Sequence, residues 1–150
     1  MAETITALPE PLFAALQQDS FALLSTIDFE TGAPSMNAIS WLYATELGTV
    51  RFAVDQRSRI LNNLKSNPLL SLTYVGVGSV HAIYGSARIV TDALPEVPFK
   101  LTCLDIEITS VRDAMFYGSR ISVAPEYEKT YDKRAAEKLD IQVFAAMKKA

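Results

Sequence analysis

Short apolar runs, several alternating with polar residues, are broken along the chain by turn signals. Ser20 to Asp28 reads as a strand and Phe29-Glu-Thr-Gly32 as a turn. Pro34 to Thr45 reads as a second strand, and Glu46-Leu-Gly48 turns the chain into a third over Thr49 to Val54. Leu69 to Val77 and Val80 to Thr91 give two more strands around Gly76-Val-Gly78-Ser. Asp92 to Pro98 carries two prolines and is irregular. A long strand starts at Lys100, where Leu104, Ile106 and Ile108 alternate with Asp105, Glu107 and Thr109, giving one buried and one wetter face. Turns this short join antiparallel neighbours, because a parallel return needs a long crossover.

Three stretches break the strand period. Pro9 to Gln18 puts Leu12, Phe13 and Leu16 on one side of a short helix. After Arg57, Ile60, Leu61 and Leu64 share a side, and this helix stops at Asn67 because Pro68 disfavours helical geometry before it. From Pro125 the chain reads as helical and charged, with Tyr127, Tyr131, Ala135, Leu139, Val143 and Met147 recurring as packing residues. A spacing of four drifts off a stripe that repeats about every 3.6 residues, so a bend near Leu139 is expected, with Asp140 capping a second helix. About six antiparallel strands with flanking helices fit a small, mainly β barrel, since closing a sheet removes its exposed edges.

Composition narrows the function. At 150 residues the chain is most simply one domain, with a barrel core over about 20–118 and a helical tail over about 125–148. A net charge of −3 and pI near 5.1 argue against general nucleic-acid binding, although a local basic spot can still hold one small anion. No apolar run is long enough to span a bilayer, and Met1 to Pro9 lacks the basic start and apolar stretch of a signal peptide. Cys103 is the only cysteine, so no internal disulfide forms, a reducing cytoplasm is the simplest location, and the thiol is expected to pack as a small apolar group.

Two segments carry candidate chemistry. Arg57-Ser58-Arg59 falls where a strand runs into a helix. There two guanidinium groups and a hydroxyl meet unpaired backbone N–H groups, an arrangement that suits phosphate. The competing reading is a solvated basic turn in which Ser58 caps the helix and Asp55 occupies one arginine. Asn62 and Asn63 either extend the polar pocket or face water. The second segment is Ser35-Met-Asn-Ala-Ile-Ser-Trp41, whose small residues let a flat ligand approach the strand backbone; the alternative is a half-buried strand with Trp41 in the core. His81 is the lone histidine, with no second ligand at metal-site spacing, so a structural role is favoured and no metal is expected. Rossmann, P-loop and nucleophile-elbow signatures are absent.

The pieces Leu23-Leu-Ser-Thr-Ile-Asp-Phe-Glu-Thr-Gly-Ala-Pro34, Asn37-Ala-Ile-Ser-Trp41, Val50-Arg-Phe-Ala-Val54, Arg57-Ser-Arg59, Asn62-Asn-Leu-Lys-Ser-Asn-Pro68 and Tyr84-Gly-Ser-Ala-Arg-Ile-Val90 occur in an order that resembles the FMN-binding split β-barrel family, the relatives of pyridoxamine 5′-phosphate oxidase. The resemblance runs from about Phe21 to Asp113. It implies a six-stranded antiparallel Greek-key split β-barrel, a homodimer, and FMN held in clefts between subunits. By position, Ser58 and Arg59 would hold the FMN phosphate with Arg57 assisting. Asn37, Ala38, Ile39 and Ser40 would line the isoalloxazine ring, and Val54 would offer a backbone contact. Ile60 stands where the vitamin B6 oxidases have lysine, and their flavin-contacting glutamine near Val80 is missing. Their arginine-rich C-terminal substrate segment has no counterpart in Ala-Ala-Met-Lys-Lys-Ala. The resemblance therefore implies the cofactor rather than that substrate. The expected function is an FMN-dependent oxidoreductase acting on a small molecule, with no catalytic side chain named. The alternatives are a non-enzymatic flavin carrier or sensor, or a deazaflavin- or haem-binding relative on the same fold.

Overall fold

A computed structural model describes residues 5–150; the first four residues, where the stretch judged unlike a signal peptide begins, lie outside it. The elements in chain order are α1 (Glu10–Ala15), β1 (Ala22–Ile27), β2 (Pro34–Ile39), β3 (Leu42–Glu46), β4 (Thr49–Asp55), α2 (Arg59–Ser66), β5 (Leu69–Gly76), β6 (Ser79–Thr91), β7 (Leu101–Asp113) and α3 (Lys133–Lys149). Seven strands, one more than the sequence pattern predicts, form a single antiparallel sheet in the order β2-β1-β5-β6-β7-β4-β3.

The extra strand arises because the predicted run Pro34 to Thr45 divides at Ser40 and Trp41. Its first half pairs with β1 and its second with β4, at opposite ends of the strand order. Three Cα steps separate Ile39 from Leu42, a reach of at most about 11 Å. A sheet whose two ends are joined by so short a link must roll up, and this gives the mainly β, split-barrel architecture with flanking helices. The edges do not pair with each other, so the barrel is incomplete; the outer side of β3 instead takes a bond from Ala44 N–H to the Leu16 carbonyl of the α1 end (3.1 Å).

Two apolar clusters flank the strands. Inside the barrel lie Leu24, Leu42, Val50, Phe52, Val54, Leu72, Ile83, Leu104 and Ile106, closed by Leu12 and Leu16 of α1 and by Ile60, Leu61 and Leu64 of α2. Outside it, Ala53, Leu101 and Cys103 are covered by Val143, Ala146 and Met147 of α3. The expected wetter face of β7 is consequently dry over its first half, and Asp105 is buried there. Burial pushes the Cys103 thiol up to about 11, in keeping with packing rather than reactivity. Gly85 sits where β6 crosses β7 most closely, since a Cβ there would collide with the backbone oxygen of Glu107.

The C-terminal region departs from expectation in two ways. The helix starts at Lys133 rather than near Pro125, and it is continuous through Leu139. Asp132 caps it by accepting from the N–H groups of Arg134 (2.9 Å) and Ala135 (3.2 Å). Asp140, expected as a cap, lies mid-helix and binds elsewhere: Trp41 Nε1–H donates to its Oδ1 (2.8 Å) and Lys129 Nζ to its Oδ2 (3.1 Å). This bond fixes α3 against the joint between β2 and β3.

Candidate functional site

The two predicted segments occupy different stretches of one surface around β1 and β2. At the β4–α2 junction Ser58 caps α2, its Oγ accepting from Ile60 N–H (3.1 Å). Arg59 follows as the first helical residue, and its guanidinium is held by the β1–β2 turn. Arg59 Nε donates to Asp28 Oδ1 (2.6 Å), and its Nη2 donates to Asp28 Oδ2 (3.1 Å) and Glu30 Oε1 (2.8 Å). The Phe29 ring lies 4.6 Å from the Arg59 Cζ, so one face of the guanidinium is stacked. Arg57 folds back on Asp55, with Nε at 3.2 Å and Nη2 at 3.3 Å, and its side chain is 91% exposed. Two guanidinium charges thus meet three carboxylates at this corner.

Why the chain folds this way locally is visible in three contacts. Gly32 takes a positive φ of 75° that closes the turn after Asp28. Asp28 Oδ2 accepts from the N–H groups of Glu30 (3.2 Å) and Thr31 (2.9 Å) and from the Thr31 hydroxyl (3.1 Å), which fixes its carboxylate under Arg59. Asn63 is buried and neither lines a pocket nor faces water. Its Nδ2 donates to Thr26 Oγ1 (2.9 Å), and its Oδ1 accepts from Phe29 N–H (2.9 Å), so α2 and the turn are locked together; Asn62 is exposed. The Arg59 guanidinium, with help from Thr31, holds the Asp28 carboxyl well below the usual carboxylate range.

At the other end of β2, Ala38, Ile39 and Ser40 line a cleft of about 360 Å³ together with Phe21, Tyr127 and Lys129. Asn37 is exposed on the same strand, outside the residues that line the cleft. The Val54 side chain is in the barrel core and does not reach this surface. Phe21 and Tyr127 meet edge to face at 5.5 Å, and the Lys129 ammonium lies 5.8 Å from the centre of the Tyr127 ring. An adjoining cleft of about 390 Å³ shares Phe21, Tyr127 and Lys129 and is also lined by Ser20, whose buried Oγ has no hydrogen-bond partner among the described residues. The larger groove, about 970 Å³, runs between β3 and α3 past Tyr43, Phe144 and Lys133. Among the described residues no group of three or more potential metal ligands converges. His81 Nε2 lies 2.9 Å from the Gly76 carbonyl oxygen, a local contact across its own hairpin.

The sequence pattern singled out Arg57, Ser58, Arg59 and Asn37 to Ser40 but missed their neighbours. Asp28, Phe29 and Glu30 surround Arg59 from 29 to 31 residues upstream, and the only hint was an Asp-x-Glu in the turn that ends at Gly32. Tyr127 and Lys129 lie on an irregular stretch whose sequence reads as helical, so nothing local placed them over β2.

The architecture and these positions can now be set beside known proteins. A sequence model of the family described as pyridoxamine 5′-phosphate oxidase matches residues 8–102. The chain belongs to the pyridoxamine 5′-phosphate oxidase family. That match spans both segments of the candidate site and every strand up to the start of β7. No curated protein sequence resembles the chain closely enough to count as a match. Three solved structures illustrate the shared fold. A Lactobacillus delbrueckii protein provisionally assigned as a pyridoxamine 5′-phosphate oxidase superposes with TM-score 0.62 at 15% identity, over 71% of this chain and 94% of its own. HupZ from Group A Streptococcus gives 0.61 at 12%, over 77% and 99%. An F420 reductase gives 0.58 at 17%, over 69% and 98%. At these identities the likeness speaks for the fold alone. Among the described residues no helix is long and apolar enough to cross a membrane.

Proposed function

We propose that the protein binds FMN along β2 and performs flavin redox chemistry on a small molecule. The observation that carries this is the pairing of an exposed, small-residue cleft at one end of β2 with a guanidinium corner near the other. Ala38 pairs with Leu23, while Arg59 is bound to Asp28, five residues further along the same strand and turn. At about 3.3 Å per residue that separation is roughly 17 Å, a span an extended flavin mononucleotide can bridge. The short side chains of Ala38 and Ser40 leave room for a planar ring against the backbone, and the unpartnered Ser20 hydroxyl offers a polar contact beside it.

In this arrangement Arg59 and Ser58 hold the phosphate, with Arg57 released from Asp55 to assist. Asn37, Ala38, Ile39 and Ser40 run along the ring, and Val54 contributes backbone only. FMN, when bound, supplies reversible electron transfer. The chain's own residues position it: the Tyr127–Lys129 segment flanks the Ala38–Ser40 end, where the Lys129 ammonium is held by the Asp140 carboxylate. The departures at Ile60 and near Val80 favour a substrate other than a vitamin B6 phosphate. The setting we infer is a cytoplasmic homodimer, supported by exposed Met36, Leu69, Phe116 and Tyr117 and by the buried, unpaired Cys103. Light scattering that returned a monomer at micromolar concentration would remove the dimer.

The absorbance spectrum of the purified, untreated protein tests the cofactor. Flavin bands support FMN, a deazaflavin-type spectrum supports the second reading suggested by the F420 reductase likeness, and a Soret band would replace both with haem. Stopped-flow mixing with NADH and NADPH then separates an oxidoreductase from a passive carrier or sensor. Absence of reduction by either donor counts against the oxidoreductase.

A further inference from the structure

We infer that Glu30 is a specificity residue of the phosphate corner, competing with a ligand's phosphate for Arg59 and so weakening the preference for phosphorylated over phosphate-free flavin. This deepens the flavin proposal above and rests on it. The Arg59 guanidinium has its Nε edge filled by Asp28 and one face covered by Phe29. What is left for an incoming anion is the outer edge, where Nη1 has no partner among the described residues and Glu30 Oε1 already accepts from Nη2 at 2.8 Å. Two carboxylates contact Arg59, and they are not equivalent. Asp28 is 12% exposed and also organises its turn through Glu30, Thr31 and the Thr31 hydroxyl. Glu30 is 61% exposed and its carboxylate makes this one hydrogen bond. Glu30 is therefore the group a phosphate must displace to bridge Nη1 and Nη2, while Asp28 keeps the guanidinium aimed.

The displaced carboxylate stays close on a short turn, so a dianionic phosphate bound at Arg59 also feels its repulsion. A flavin without phosphate feels neither effect. Glu30→Gln keeps the side chain's size and removes its charge. Titrating parent and Glu30→Gln protein with FMN and with riboflavin, by quenching of flavin fluorescence at low salt, reads the difference. The FMN dissociation constant is expected to fall about three- to tenfold, while that of riboflavin stays within twofold. Equal FMN affinity in parent and variant, or an equal shift for both flavins, overturns the role of Glu30 and leaves the flavin site standing. If neither protein binds either flavin, the flavin site itself falls and the role of Glu30 falls with it.

Discussion

Two arginine–carboxylate clusters, one across β4 and β7 and one at the start of α2, share one chemistry and differ in burial. Arg51 on β4 makes a bidentate pair with Asp105 on β7, at 2.7 and 3.0 Å, with side chains only 14% and 5% exposed. Its Nη1 also donates to the backbone oxygens of Met147 (2.9 Å) and Ala150 (3.1 Å), so the pair ties the end of α3 to the sheet. Arg59 has a comparable geometry with Asp28 and Glu30, yet its side chain is 51% exposed. In the first cluster water cannot replace a lost partner, and removing one leaves a buried charge. In the second, solvent and ligand can both exchange with the carboxylates at small cost. Burial, more than hydrogen-bond length, separates a structural clamp from the corner proposed to hold an anion.

The sharpest way to break this contrast is to cut the buried pair. Asp105→Ala is expected to cost about 3–5 kcal/mol of stability, read as a lowered urea midpoint with the slope unchanged. A loss under about 1 kcal/mol would mean that Arg51 behaves like a surface arginine, and the contrast would be gone. Arg59→Ala should do the reverse: FMN binding weakens roughly ten- to a hundredfold while the urea midpoint falls far less than in Asp105→Ala. Unaltered flavin affinity in that variant would take Arg59 out of the site.

Two smaller effects refine the picture. Trp41→Phe removes the bond to Asp140 but keeps the ring's bulk, and should cost about 1 kcal/mol, leaving Asp140 to Lys129 alone. A neutral result would show that apolar packing alone holds α3 at that point. The last concerns acid. Arg59 lowers the Asp28 carboxyl below its unfolded value of about 3.9, so the turn's contribution is complete above that value and fades as pH falls through it toward the folded value. The stability advantage of the parent over Asp28→Asn should therefore be constant near neutrality and shrink below about pH 4. An advantage that persists undiminished at pH 2 would separate the turn from this carboxylate's charge.

Much of the fold was legible because its signals are local. The turns at Phe29–Gly32 and Glu46–Gly48, the Ser58 start and Pro68 stop of α2, and the apolar side Ile60–Leu61–Leu64 depend on neighbours a few residues apart. The division at Ser40 and Trp41 was not legible, because its cause is pairing with strands at opposite ends of the sheet. Asp105 looked like a surface residue in an alternating strand; its partner Arg51 is 54 positions away. For α3 a local signal does exist: Asp132 directly before Lys133 is a better start than Pro125. At the candidate site, Arg57, Ser58 and Arg59 stood out by residue type. The carboxylates that answer them on Asp28 and Glu30 arrive only when β1 and α2 come together through Asn63.

The two-residue link at Ser40 and Trp41 also constrains how anything reaches β2. Tethered at so short a reach and pinned to α3 through Asp140, the rims of the barrel cannot swing apart to admit a guest. Whatever approaches β2 therefore meets it from the side, where the irregular Tyr127–Lys129 stretch borders the Ala38–Ser40 cleft.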